Sequence, residues 1–432
     1  MAWDLGDSAR IGSRLRCHVA WAQQPESIET EIKPVLFEPE RHERVTDRPW
    51  DEGRASIAIE HIVADTIGDH NSNFGWPVHP LDHDDPNSFN HHLYFGTAGV
   101  IWGLEQLRRL GATDSAPDFT NISEMLIDVN RRTIGSFGCG TQGLLLGDAG
   151  LLLLQFKLRP TAGIARRLAE TVQSNRENPV LELMWGAPGT MLAALAMLEW
   201  TGDSLWRDQF VQSAACLRAA LETDDELQCD IWSQTLYGAR SKLLGAVHGF
   251  AGNAFALSRG RHLLPMNEWD WWSERLTRTL MATAKREDGC LNWPQSQGTP
   301  RPGRTAWLLQ HCHGAPGIVT SFAGMPGVMI DDILHEAGEF IWRAGPLRKG
   351  ANLCHGTAGN GYAFLKLYQR FGNPVWLERA RAFSVHAMAQ CEVDRQRYRR
   401  YRYSLWTGDI GVAFFLWSCI HAQADFPTLD MF

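Results

Sequence analysis

The feature that most constrains this chain is an internal repeat. The pattern Gly-x-(Ala/Pro/Ile)-Gly followed by an apolar stretch occurs seven times, opening at Gly96, Gly147, Gly186, Gly249, Gly314, Gly356 and Gly408. Successive openings lie 39 to 65 residues apart, room for two helices and their connections. With 40 glycines in 432 residues a bare glycine pair says little, and Gly135–Gly138, Gly140–Gly143 and Gly324–Gly327 also fit. The seven stand out by the helical spacing that follows each, as in Val100, Ile101, Leu104, Leu107 or Tyr362, Leu365, Tyr368.

Helix ends are legible too. Gly111, Gly202 and Gly372 each follow an apolar helix and suit the left-handed C′ position. Asp203 and Asn373 then read as N-caps, with Pro374 at the first position of its helix. The segments after them are amphipathic, as in Leu205, Trp206, Phe210, Val211, Ala214 and Leu217. No run of alternating strand residues stands out. The sequence therefore predicts an all-α chain of seven αα-hairpins, closed into a toroid with seven inner helices starting on one face.

Length alone suggests about three domains, whereas a closed ring of hairpins is one. We assign residues 51–432 to that domain, with a first helix near Arg54–Thr66, and residues 1–50 to an extension wrapping it. Residues 22–52 are polar and proline-containing. The stretch Asp288–Gly303, just before the fifth motif, reads as a loop over a site.

A formal charge of −8 argues against nucleic acid. No run of about 18 apolar residues could span a membrane. The start, Met1 to Asp7, lacks the basic and apolar parts of a signal peptide, which argues for a cytoplasmic protein. Nine cysteines, odd in number and without framework spacing, then need a reason other than disulfides.

The residues just before the motif glycines supply one. They are Phe95, Leu146, Trp185, His248, His313, His355 and Thr407. Three consecutive units carry histidine there, and cysteine precedes it in Cys312-His313-Gly314 and Cys354-His355-Gly356. Equivalent repeat positions converge at the toroid mouth. Cys312, Cys354 and one adjacent histidine make three ligands, which favour zinc and leave a fourth position for water or substrate. Cys17, Cys139, Cys216, Cys229, Cys290, Cys391 and Cys419 show no such register and read as core or surface.

Gly147-Asp148-Ala149-Gly150, His248-Gly249-Phe250-Ala251-Gly252, Cys312-His313-Gly314-Ala315-Pro316-Gly317 and Leu353-Cys354-His355-Gly356-Thr357-Ala358-Gly359-Asn360 resemble the signature motifs of the lanthionine synthetase C-like (LanC-like) family. The resemblance runs from about residue 50 to the C-terminus. Glu182-Leu183-Met184-Trp185-Gly186, and Lys349-Gly350 upstream of Leu353–Leu367, resemble the eukaryotic-type, glutathione-binding branch more than the bacterial lantibiotic cyclases.

This resemblance implies an (α/α)7 barrel with one catalytic Zn2+ ion on Cys312, Cys354 and His355. His248 matches the family's catalytic histidine, Asp148 its acidic residue, and Lys349 a lysine associated with the thiol substrate. The implied reaction adds a thiol, from glutathione or a peptide cysteine, to dehydroalanine or dehydrobutyrine in a peptide or protein. His248 would supply the α-carbon proton, and Asp148 would accept the thiol proton or orient the imidazole. Lys349 and Arg348 would pair with a glutathione carboxylate, His313 would stand beside the ligands, and Trp293 would contact substrate. Trp185, Trp293, Trp307, Trp342 and Trp406 would together line an indole bowl, while Trp269, Trp271 and Trp272 read as an outer packing face.

Two departures stand out: His311 where the family usually has tryptophan, and Leu308 where the peptide cyclases place arginine. Glutathione addition leads two alternatives, an intramolecular lanthionine-forming cyclase and a non-catalytic zinc-containing glutathione or peptide sensor. Protein prenyltransferases also set a zinc-bound thiolate on a helical toroid, but without the glycine pairs and with Asp, Cys and His as ligands.

Overall fold

A computed structural model describes residues 36–71, 75–82, 89–115, 117–298 and 306–432. Fourteen α-helices among them alternate between two concentric layers. The outer layer is α1 Glu52–Gly68, α3 Thr120–Ile134, α5 Ala162–Asn175, α7 Ser204–Ala219, α9 Met266–Thr283, α11 Asp331–Ala344 and α13 Pro374–Tyr398. The inner layer is α2 Thr97–Arg109, α4 Asp148–Leu158, α6 Ala187–Thr201, α8 Phe250–Arg259, α10 Ala315–Phe322, α12 Thr357–Phe371 and α14 Asp409–His421. Each inner helix has the first motif glycine as its N-cap. The (α/α)7 barrel expected from the repeats is the fold. No helix among the described residues is long and apolar enough to cross a membrane.

The second motif glycine has a steric reason. In all seven units a Cβ there would lie 1.9 to 2.4 Å from the carbonyl oxygen six residues earlier, that of Leu93, Leu144, Leu183, Ala246, His311, Leu353 or Leu405. The turn before each inner helix thus rests on a bare α-carbon. Gly249 (φ 143°) and Gly314 (φ 101°) add a conformational demand that glycine alone meets cheaply.

These turns are stitched to one another around the mouth, the face where the inner helices begin. Backbone N–H groups donate from Tyr94 to Leu145 O (3.0 Å), Leu145 to Met184 O (3.2 Å) and Leu183 to Val247 O (3.3 Å). A second run of bonds goes from Cys312 to Cys354 O (3.0 Å), Cys354 to Trp406 O (3.0 Å) and Trp406 to Tyr94 O (2.9 Å). The last link joins the seventh turn to the first. On the outside, α1 packs against α14, so the first outer helix covers the last inner one.

The chain then returns to the barrel. Arg259, the last residue of α8, donates to the Asp430 carbonyl (2.8 Å), which places Asp430 at the end opposite the mouth. Asp430 forms a buried ion pair with Lys366 (2.8 Å), and Thr428 accepts the indole N–H of Trp406 (3.1 Å).

Helix punctuation follows the sequence reading. Gly111, Gly202 and Gly372 have φ of 74°, 67° and 67°, and Asp203 and Asn373 cap α7 and α13. The strands were not foreseen. Seven antiparallel strands of two to five residues occupy the two longest connections: β1 Glu222–Asp224 with β2 Cys229–Ile231, β4 Ala239–Leu243 between β3 Gln234–Leu236 and β7 Ser296–Gln297, and β5 Lys285–Glu287 with β6 Cys290–Asn292. The start of the expected loop at Asp288 is a hairpin turn, with Asp288 and Gly289 both left-handed (φ 49° and 71°), the Asp-Gly preference of tight hairpins. Residues 299–303 of that stretch, and residues 1–35 of the extension, lie outside the described residues. The described part of the extension lies along the loop leading to Lys349: His42 Nδ1 pairs with Gly345 O (2.9 Å), and Glu43 N donates to Pro346 O (2.8 Å).

Candidate metal centre

The fifth and sixth turns bring Cys312, Cys354 and His355 together at the mouth. All three are buried, and one ligand atom from each lies within 4.8 Å of the others. With Zn–S near 2.3 Å and Zn–N near 2.0 Å, ligand atoms of a tetrahedral zinc sit roughly 3.5 Å apart. The donor set and its spacing therefore fit zinc. The turn around His355 is set by Asn352, whose Oδ1 accepts the His355 backbone N–H (3.0 Å).

Each sulfur also accepts a hydrogen bond from a neighbouring side chain. Gln310 Nε2 donates to Cys312 Sγ (3.0 Å) and the Tyr94 hydroxyl to Cys354 Sγ (2.6 Å). Burial pushes the Cys312 thiol up, but a hydrogen bond from Cys354, the charge of Lys349 and the Gln310 amide outweigh it and lower the pKa to about 7. Burial raises Cys354 well above the ordinary thiol range, and donation to Cys312 raises it further. The two shifts run in opposite directions, favouring ionisation at Cys312 over Cys354, and a thiolate there suits a cation.

His248 enters from the fourth turn. Its Nδ1 lies 2.8 Å from Glu182 Oε2, in the turn of the third unit. Glu182 is fully buried and is itself fixed by the backbone N–H groups of Trp185 (2.6 Å to Oε1) and Met184 (3.0 Å to Oε2). That grip leaves Nε2 as the ring nitrogen turned away from the carboxylate. The ring lies nearly parallel to that of His313, centroids 6.1 Å apart.

Asp148 opens α4 with its carboxylate buried. Arg131 of α3 holds Oδ2 through Nε (2.7 Å) and Nη2 (2.6 Å), while Oδ1 is buried without a hydrogen-bond partner among the described residues. Burial raises its pKa and Arg131 pulls it back down. The imidazole is oriented by Glu182, not by Asp148, which corrects one of the two roles expected of that aspartate.

Lys349 is solvent-exposed yet partly desolvated by the protein around it. Desolvation lowers its pKa, the two thiols raise it, and the charges of Arg402 and Arg41 lower it. Arg348 is engaged elsewhere: its Nε donates to His42 O (3.0 Å), and its backbone N–H to Arg41 O (2.9 Å). It fastens the extension to the barrel.

The indole bowl does not form. Trp293 is 1% exposed and donates to Leu280 O (2.9 Å). Trp185 and Trp406 are fully buried, and Trp342 packs on Phe364 and Phe383. Trp307 and Trp342 are only partly buried. The buried indoles of Trp185, Trp293 and Trp406 find internal partners for their N–H groups in Tyr237 Oη, Leu280 O and Thr428 Oγ1. On α9, Trp272 is buried and Trp271 lies between the guanidinium groups of Arg218 and Arg275 (4.2 and 4.0 Å), as expected of an outer face.

The departures are absorbed locally. His311 is buried, stacks on Phe426 (4.4 Å) and bonds Thr320 through Nδ1 (3.2 Å); its burial lowers the pKa to about 3. Leu308 contributes a carbonyl to Asn292 (3.0 Å). Glu182, Tyr94 and Gln310 were not foreseen as site residues. Tyr94 had a signal, since it stands two residues before its motif glycine, as Cys312 and Cys354 do.

The family model described as lanthionine synthetase C-like protein matches residues 87–431. LanC-like protein GCL1 of Arabidopsis thaliana is 30% identical over 214 residues, 48% of this chain and 46% of that protein. Glutathione S-transferase LANCL1 of Danio rerio is 34% identical over 155 residues, 33% of this chain and 36% of that protein. The chain thus spans less than half the length of these curated relatives. Among solved structures, nisin cyclase has a similar fold, with a TM-score of 0.54 and 16% identity over 87% of this chain and 99% of its own. Seven glycine-opened inner helices and a family match over most of the length lead to one conclusion: the chain belongs to the lanthionine synthetase C-like family.

Proposed function

We propose that this protein holds one zinc ion on Cys312, Cys354 and His355 and adds a thiol, preferentially glutathione, to dehydroalanine or dehydrobutyrine residues of a peptide or protein. The observation that carries the reading is the buried two-thiol, one-imidazole cluster at the barrel mouth, with Lys349 at its rim. Zinc would supply the charge that deprotonates a thiol of which only about 3% is thiolate at pH 7, given a pKa of about 8.5. The name of the Danio rerio relative, a glutathione S-transferase, supports glutathione as the thiol.

The protein's own side chains have distinct tasks in this reading. Lys349, with Arg41 and Arg402 in electrostatic range, draws an anionic thiol compound toward the mouth. His248 carries a proton on Nε2 to the substrate α-carbon, and Glu182 holds its tautomer and direction. Asp148, with Oδ1 unpartnered, receives the proton that the thiol gives up. The eight described cysteines form no disulfide, which suits a reducing compartment such as the cytoplasm.

The test is to measure metal in the purified protein, then follow the mass of a dehydroalanine peptide incubated with glutathione. The expected product carries one glutathione per dehydro residue, is absent with Cys354→Ala, and forms about 100-fold more slowly with His248→Ala. A protein without zinc, or with zinc but no adduct across several dehydropeptides, overturns the reading. A peptide with its own cysteine, probed by alkylation, tests the cyclase alternative: lost alkylation without glutathione uptake means ring closure.

A further inference from the structure

Tyr94 lies on the seam where the ring closes. It belongs to the first unit, yet its hydroxyl donates to the sulfur of Cys354 in the sixth, at 2.6 Å. Between them stands Trp406 of the seventh unit. Its backbone N–H donates to Tyr94 O and its carbonyl accepts from Cys354 N, while its ring lies 5.7 Å from the phenol ring. Three bonds thus tie units one, seven and six into a closed circuit that passes through a cysteine sulfur. The phenol is 1% exposed, so no bulk water competes for its O–H.

We infer that Tyr94 is a positioning residue of the metal centre: its hydroxyl fixes the direction of the Cys354 sulfur and withdraws electron density from it. The inference rests on the zinc reading above. A thiolate that accepts a hydrogen bond donates less charge to a metal, and outer partners of ligands commonly govern affinity. Cys312 has its own donor in Gln310, so each sulfur is held by one side-chain donor. The two donors come from different places, Gln310 from the same turn as its cysteine and Tyr94 from across the seam. Loss of the phenolic O–H would leave a buried sulfur more electron-rich and freer to turn.

Tyr94→Phe keeps the aromatic ring against Trp406 and Phe95 and removes only the O–H. Zinc affinity is measured by chelator competition, and cobalt loading reports the thiolate-to-metal charge-transfer band. The expected result is zinc held about 10-fold more weakly and a cobalt band at lower energy. As a check independent of how the variant folds, wild-type protein made with 3-fluorotyrosine carries a stronger phenolic donor, and its band should move to higher energy. A band unmoved in both proteins, with unchanged zinc affinity in the Tyr94→Phe protein, overturns the inference while leaving the zinc reading intact. A wild-type protein that binds neither zinc nor cobalt overturns both.

Discussion

Glu182 and His248 are 66 residues apart in sequence and 2.8 Å apart in the fold. The carboxylate is already satisfied by two backbone N–H groups, so its third partner is held in one direction. Glu182→Gln should therefore lower kcat for thiol addition about 10- to 100-fold and leave KM for glutathione nearly unchanged, as steady-state kinetics would show. A matching rise in KM would move Glu182 to substrate binding. Sequence register found His248, Cys312, Cys354 and His355 because each stands one or two residues before a motif glycine. It could not find the Glu182 contact, which depends on how neighbouring turns face each other. Asp409, the seventh-unit counterpart of Asp148, is held instead by Arg402 N (2.7 Å) and Cys391 Sγ (3.0 Å). Burial raises its pKa from 3.8 to about 6. The folded state then prefers the protonated carboxyl. Its contribution is complete below pH 3.8 and is lost as pH rises through 6, a change of about 3 kcal/mol. In urea unfolding, the stability of Asp409→Asn relative to wild type should therefore improve between pH 4 and pH 7.

At the scale of elements, glycine placement made the helices legible. Each glycine pair marks a place where backbone meets backbone, and all seven inner helices start there. Gly359→Ala would set a Cβ 1.9 Å from Leu353 O, so it should cost at least about 3 kcal/mol in denaturant unfolding. Gly163→Ala, in the first turn of α5 with only Thr161 Oγ1 nearby at 3.9 Å, should instead gain about 0.5 to 1 kcal/mol. The hairpins escaped notice because strands of two to five residues are too short for alternation to show; only Asp288-Gly289 advertised its turn. The tryptophans misled for a different reason. Proximity to motif ends placed Trp185, Trp293 and Trp406 near the mouth in sequence, but all three rings are buried against protein: Trp293 bonds Leu280 O, Trp185 meets Tyr237, and Trp406 packs on Tyr94, His311 and Phe426.

For the whole molecule, closure is the property no local pattern displays. It appears in the hydrogen bond from Trp406 to Tyr94 O and in the packing of α1 on α14. It is reinforced at the far end by Asp430, whose carboxylate meets Lys366 with both side chains buried. Removing one member leaves a buried charge unpaired, so Asp430→Asn should cost about 3 to 5 kcal/mol, read as a lowered urea midpoint with an unchanged slope. The Lys366→Met, Asp430→Leu double variant should recover part of that loss, because neither charge remains to be desolvated.

The stitched turns also separate inheritance of shape from inheritance of chemistry. The glycines hold the ring, while the two residues before each pair act like stations on a dial, all read at one mouth. Histidine, with cysteine before it at two of them, fills the last position at three consecutive stations, Phe95, Leu146, Trp185 and Thr407 fill it at the other four, and Tyr94 of the first station reaches the Cys354 sulfur. A descendant could exchange the occupants of any station without disturbing the glycine beneath it. The same barrel can therefore lose the Cys312, Cys354 and His355 cluster, or acquire a second reactive group at another station, with few substitutions and no change of architecture.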